Sequence, residues 1–158
     1  MQRIRTFPPL ILIFVGWMLA GCAGISTSIA TPVINQTPTG TPILRFQQSG
    51  GIVALNDEWA IYADGLITLN GSPNQQIAPT RVLALRDQLL GYGFNDLDAT
   101  YLPADPCCDR FTYTLTLYQD GQSHSITTID GTEGVPAELW QSIQAVLDLL
   151  SGAGTHAP

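Results

Sequence analysis

Lysine is missing from the chain, and arginine is scarce. Six arginines supply all the basic charge against thirteen acids, for a formal net charge of −7 over 158 residues. Binding to a nucleic-acid backbone needs clustered Lys or Arg to neutralise phosphates. No such cluster occurs, so that partner class is set aside. A nucleotide-cradling G-x-x-x-x-G-K-[ST] loop is absent too, and no lysine could complete one. His124 and His156 are the only histidines. A serine triad needs an oriented histidine and serine, and no G-x-S-x-G stands in the sequence. Neither C-x-x-C nor H-E-x-x-H is present, so no zinc site is spelled out. The expectation is a protein that is not an enzyme, with no cofactor and no metal. Charged residues make up only 12% against 45% hydrophobic, which excludes disorder driven by charge repulsion.

The three cysteines are best understood from their positions. Arg3 and Arg5 precede an uncharged run, Leu10 to Ala20, which is eleven residues long. That suits a signal-peptide core and is too short for a spanning helix, which needs about 20 residues. Leu19-Ala20-Gly21-Cys22 follows and resembles the lipobox of bacterial lipoproteins. The resemblance implies cleavage behind Gly21 and acylation of Cys22. Residues 1–21 are then a signal peptide. The partner is a membrane, reached through lipid, and the location is the extracytoplasmic side of a bacterial cell envelope. Removing Arg3 and Arg5 leaves four arginines against thirteen acids, a formal charge of −9. Cys107 and Cys108 remain as an even pair in a compartment that permits disulfides. A bond between neighbours is strained, because adjacent Cα atoms lie about 3.8 Å apart and a relaxed disulfide wants about 4.4–6.8 Å. The pair reads as a redox switch, a soft-metal capture site, a rigid turn entering the strand at Phe111, or two thiols.

Residues 22–42 carry the anchor and an uncharged Thr/Pro-rich stretch without periodicity, read as a flexible linker. A folded domain is expected over residues 43–152, with a disordered tail at 153–158. Within it, Ile43–Gln48 looks like a strand ended by Ser49-Gly50-Gly51. Asp64-Gly65 and Asp120-Gly121 each separate strand-like runs, the strongest short hairpin signal. Phe111, Tyr113, Leu115 and Leu117 alternate with Thr112, Thr114 and Thr116, so one face is apolar and the other hydroxylic. A two-residue turn at Asp120-Gly121 sets Leu115 opposite Ile126, Leu117 opposite His124 and Tyr113 opposite Thr128. His124 is then a rim residue covering the end of the core.

Pro79 opens a helix with Val82, Leu85 and Leu89 on one stripe and Gly91 as its stop. Pro136 opens a second, with Leu139, Ile143, Val146 and Leu150 on its stripe and Gly152 after it. The fold class is α+β: an antiparallel sheet of about five strands packed on two helices, in the order β-β-β-α-β-β-α. One core should gather Phe111, Tyr113, Leu115, Ile126, Leu139, Ile143 and Val146. Asp96, Asp98, Asp105 and Asp109 form an acidic loop with the chemistry to hold a calcium ion, but they lack the alternation and terminal Glu of an EF-hand and read first as solvated loop carboxylates.

Ser49-Gly50-Gly51, then Gly93-Phe94-Asn95-Asp96-Leu97, then Asp109-Arg110-Phe111-Thr112-Tyr113-Thr114-Leu115 and a Pro-led final helix occur in this order. The pattern, over about residues 43 to 150, resembles the emfourin-like proteins, a family named for an inhibitor of thermolysin-like metalloproteases. It is also similar to lipoproteins sharing the SGG, GFxDL and DRFxYTLT motifs. The likeness implies a binding domain whose partner is a secreted metalloprotease, with Ser49, Gly50 and Gly51 as the contact residues. One departure is plain: Ile52-Val53-Ala54 follows the glycines where the family has an aromatic, Ala and Gly. The alternative expectation is an envelope lipoprotein with a structural or ligand- or redox-sensing role through Cys107 and Cys108.

Overall fold

A computed structural model describes residues 37–105 and 109–152. Seven strands and two helices follow in the order β1 (Leu44–Gly50), β2 (Leu55–Ile61), β3 (Leu66–Leu69), β4 (Ser72–Gln76), α1 (Pro79–Gly91), β5 (Thr100–Tyr101), β6 (Phe111–Gln119), β7 (Gln122–Ile129) and α2 (Ala137–Leu150). A short 3-10 turn, Phe94–Asp96, follows α1. The strands form one sheet in the order β4-β3-β2-β1-β6-β7-β5. The α+β class stands. Two expectations need correction: the sheet has seven strands where five were expected, and it is mixed, because β5 pairs parallel to β7.

Alternation decides which face is buried. Leu44 and Phe46 of β1, Ile61 of β2, Ile67 of β3, Leu115 and Leu117 of β6 and Ile126 of β7 form one cluster. Val82, Leu85 and Leu89 of α1 and Leu139, Ile143, Val146 and Leu149 of α2 complete it, so both helices cover the same face. The α2 stripe runs through Leu149, with Leu150 only partly buried. Ser142 is buried in that stripe because its Oγ donates to the Glu138 carbonyl at 2.8 Å. Tyr113 packs against the cluster, whereas Phe111 lies outside it. Helix α1 includes Gly91, and its stop is Gly93, which takes φ +75° and donates its N–H to the Leu90 carbonyl.

The β6–β7 hairpin has the expected register, with Leu115 opposite Ile126, Leu117 opposite His124 and Tyr113 opposite Thr128. The hairpin at Asp64-Gly65 differs. Tyr62 N–H donates to the Leu66 carbonyl and Gly65 N–H to that of Tyr62, so the loop is Ala63-Asp64-Gly65. Glycine at the third position, φ +90°, fits a three-residue loop ending in a bulge. Strand β4 is an addition. Asn70 and Gly71, both at positive φ, form a two-residue turn that sets Leu69 opposite Ser72. Pro73 is accommodated because β4 is an edge strand.

Candidate functional site

The β1–β2 hairpin holds the candidate site. The expectation that β1 ends before Ser49 is corrected: the strand continues through Gly50. Ser49 pairs with Asn56 on one side and Thr112 on the other, and Gly50 with Leu55 and Phe111. The connection is therefore Gly51-Ile52-Val53-Ala54. Two bonds fix it: Gly51 N–H donates to the Arg110 carbonyl at 3.1 Å, and Ala54 N–H donates to the Gly51 carbonyl at 3.0 Å.

Both glycines are demanded by the chain itself. They take φ +97° and +70°, a region open to glycine and costly for other residues. A Cβ on Gly50 would run into the Arg110 carbonyl oxygen, and one on Gly51 would run into the Phe111 ring. Folding thus spends the Gly-Gly pair on bringing β1 close to β6. What the loop presents outward is the next two residues: Ile52 is 86% exposed and Val53 78%. Sequence reasoning treated these two only as a departure from a motif. The available signal was two β-branched apolar residues placed inside a glycine-opened turn, where no strand or helix period can bury them.

The tip has a definite direction. Ile43, just before β1, donates its N–H to the Ile61 carbonyl and accepts from Tyr118 N–H. The chain therefore comes into the sheet at the end opposite the tip, and seven strand residues separate the two by about 20 Å. Behind the tip runs a row of aromatic rings. Phe111 and Tyr113 lie 6.4 Å apart, Tyr113 stacks on Phe46 at 6.1 Å, Phe46 on Trp59 at 5.7 Å, and Trp140 meets Tyr113 edge-on at 6.0 Å. Burial pushes the Tyr113 phenol above its ordinary range, and the negative charge of Asp130 adds to that.

The other residues singled out in the sequence fall elsewhere. Cys22, Cys107, Cys108 and His156 lie outside the described residues. His124 is a packing residue at the core rim, with Nε2 3.0 Å from the Leu97 carbonyl oxygen and its ring edge-to-face with Phe94. Asp98 holds Tyr101 through its backbone, its N–H donating to the phenol oxygen at 2.9 Å. Among the described residues no three His, Cys, Asp or Glu side chains converge to hold a metal ion, and no helix is long and apolar enough to cross a membrane. The chain matches no protein-family model and no curated protein.

Proposed function

We propose that this protein is a non-catalytic binding domain, held at a bacterial cell envelope by an acylated Cys22, that offers the Gly51–Ala54 loop to a secreted thermolysin-like metalloprotease. The observation that carries the reading is the exposure of Ile52 and Val53 on a hydrogen-bonded hairpin tip. Ile52 and Val53 are adjacent and open on a hydrogen-bonded loop, so a partner could bury both side chains together. Fully burying a side chain of this size contributes about 1.5–3 kcal/mol. Because the loop is already fixed, little of that is lost to ordering on binding.

The tip lies at the opposite end of β1 from Ile43, where the chain enters the sheet. The protease class comes from the emfourin-like order of motifs. In this reading Ile52 and Val53 make the contact, while Ser49, Gly50 and Gly51 set its shape.

The test titrates the full chain in detergent against several thermolysin-like proteases, beside the double variant Ile52→Ser/Val53→Ser. The expected result is inhibition by the parent chain and a loss of at least about tenfold in the variant, with unchanged melting. Absence of inhibition at micromolar concentration removes the protease as partner. Equal inhibition by both chains removes the tip as the contact.

A further inference from the structure

At the end of the sheet opposite the Gly51–Ala54 tip, a groove of about 360 Å³ opens beside the β6–β7 turn. Leu117 and Gln119 of β6, with Gln122 and His124 paired to them on β7, form its floor. Asn95 of the 3-10 turn supplies the wall, and Asp120 stands at the hairpin turn. Three bonds hold wall and floor together. His124 Nε2 lies 3.0 Å from the Leu97 carbonyl oxygen, Asp98 N–H donates to the Tyr101 phenol oxygen at 2.9 Å, and Thr127 N–H donates to the Ala99 carbonyl at 2.9 Å. The turn is fixed as well, with Asp120 at φ +51° and Gly121 at +77°.

We infer that this groove binds a small organic cation, an alkyl chain ending in a primary ammonium. The lining is rich in acceptors. A carbonyl oxygen only accepts, so His124 Nε2 carries the proton toward Leu97, and in the neutral ring Nδ1 is an acceptor. Asp120 adds a carboxylate, and Asn95, Gln119 and Gln122 add three amide oxygens. Among the described residues, these four side chains make no hydrogen bond or ion pair with another protein group, so their capacity is unspent within the fold.

An ammonium brings three donors and a full charge. Its bond to Asp120 is charge-assisted, roughly twice as strong as a neutral one, whereas a neutral ligand mainly exchanges bonds with water. No cation of the described chain competes for Asp120. Arg45, Arg81, Arg86 and Arg110 all lie outside the groove lining, and the ion pairs of Arg45 and Arg86 engage Glu58 and Asp87. A divalent metal ion fits less well, because no three His, Cys, Asp or Glu side chains converge among the described residues. Leu117 and the His124 ring give the alkyl stem a partly apolar bed. The groove lies at the opposite end of β6 from Phe111 and the tip, so the inference does not rest on the protease reading.

The test is an NMR titration of the full chain, in neutral detergent, with putrescine, 1,4-butanediol and succinate, which are similar in length and differ in charge. The expected result is that putrescine saturably shifts the His124 ring signals and the side-chain amide signals of Asn95, Gln119 and Gln122, and that the other two do not. Asp120→Asn suits the same positive-φ turn, removes the charge and weakens putrescine binding by about tenfold or more. Gln119→Lys, which places a cation in the groove, does the same. Asp87→Asn, on the exposed side of α1, leaves the affinity unchanged and separates a site from general attraction to an acidic surface. Four results overturn the inference: no putrescine shift at these signals, equal shifts with butanediol, unchanged affinity in either folded groove variant, or an equal loss in Asp87→Asn.

Discussion

The Phe111 ring occupies the space that a side chain at Gly51 would need. A Cβ there would stand 2.5 Å from Cε1 and 2.7 Å from Cζ of the ring, well inside any real contact. The backbone adds its own demand, with φ at +70°. Gly51→Val therefore carries two costs, a steric one against the ring and a conformational one in the backbone. Together they should lower stability by about 1–3 kcal/mol or more. Phe111→Ala in the same chain should relieve the first and leave the second. A double-mutant cycle by urea denaturation reads the difference, and additive single costs would mean that ring and glycine do not meet.

Leu115 and Thr114 are neighbours in β6 on opposite faces. Leu115 sits in the cluster beneath both helices, 1% exposed. Thr114 lies on the open face, its hydroxyl paired with that of Thr127. Leu115→Ala should cost about 2–5 kcal/mol, as should Ile143→Ala on the opposing helix. Thr114→Ala should cost under about 1 kcal/mol, because Thr127 turns to water once its partner is gone. Denaturant midpoints for the three variants check this, and equal losses at Leu115 and Thr114 would contradict an open face.

Strong periodicity and turn chemistry made the β6–β7 hairpin readable. Seven alternating residues, Phe111–Leu117, stand two residues before Asp120-Gly121, and both turn residues adopt positive φ, so one register satisfies both signals. The tip was less readable. Ser-Gly-Gly suggests a break, yet Ser49 and Gly50 stay in the ladder because glycine lets the strand pass close under Arg110. Strand β4 was missed altogether. Ser72-Pro73-Asn74-Gln75-Gln76 has no apolar period, since an edge strand can be held by backbone bonds alone, and Pro73 argues against a strand in a single sequence. Asn70-Gly71 was the available sign. Its side chain explains the turn's strength: Asn70 Oδ1 accepts from Glu58 N–H at 2.8 Å and Nδ2 donates to Asp57 at 3.1 Å.

The proposed acylation of Cys22 is independent of the fold. The motivation is Leu19-Ala20-Gly21-Cys22 behind an eleven-residue apolar run. Mass spectrometry of the membrane fraction should find the chain beginning at Cys22 with acyl groups attached. Cys22→Ser should abolish acylation and shift the protein out of that fraction or stall it before cleavage. A chain that retains Leu10 to Ala20 after export would refute processing at this site.

Tyr113 ties the aromatic row to the pH dependence of stability. Its phenol is raised first by burial and second by the charge of Asp130. An unfolded tyrosine titrates near pH 10. Below that value both states hold the proton, and the contribution to stability is fully present. As pH rises past about 10, the unfolded chain releases its proton before the folded one does. Deprotonation then pulls the equilibrium toward the unfolded state, and stability is lost through the folded-state pKa. Phenylalanine has no proton to lose. The melting temperature of Tyr113→Phe should therefore track the parent below pH 10 and fall less steeply above it, with the gap isolating Tyr113 from the other tyrosines. Asp130→Asn should narrow the gap without closing it, because burial is the larger cause. Parallel curves for the parent and Tyr113→Phe through the alkaline range would show that Tyr113 titrates alike in both states.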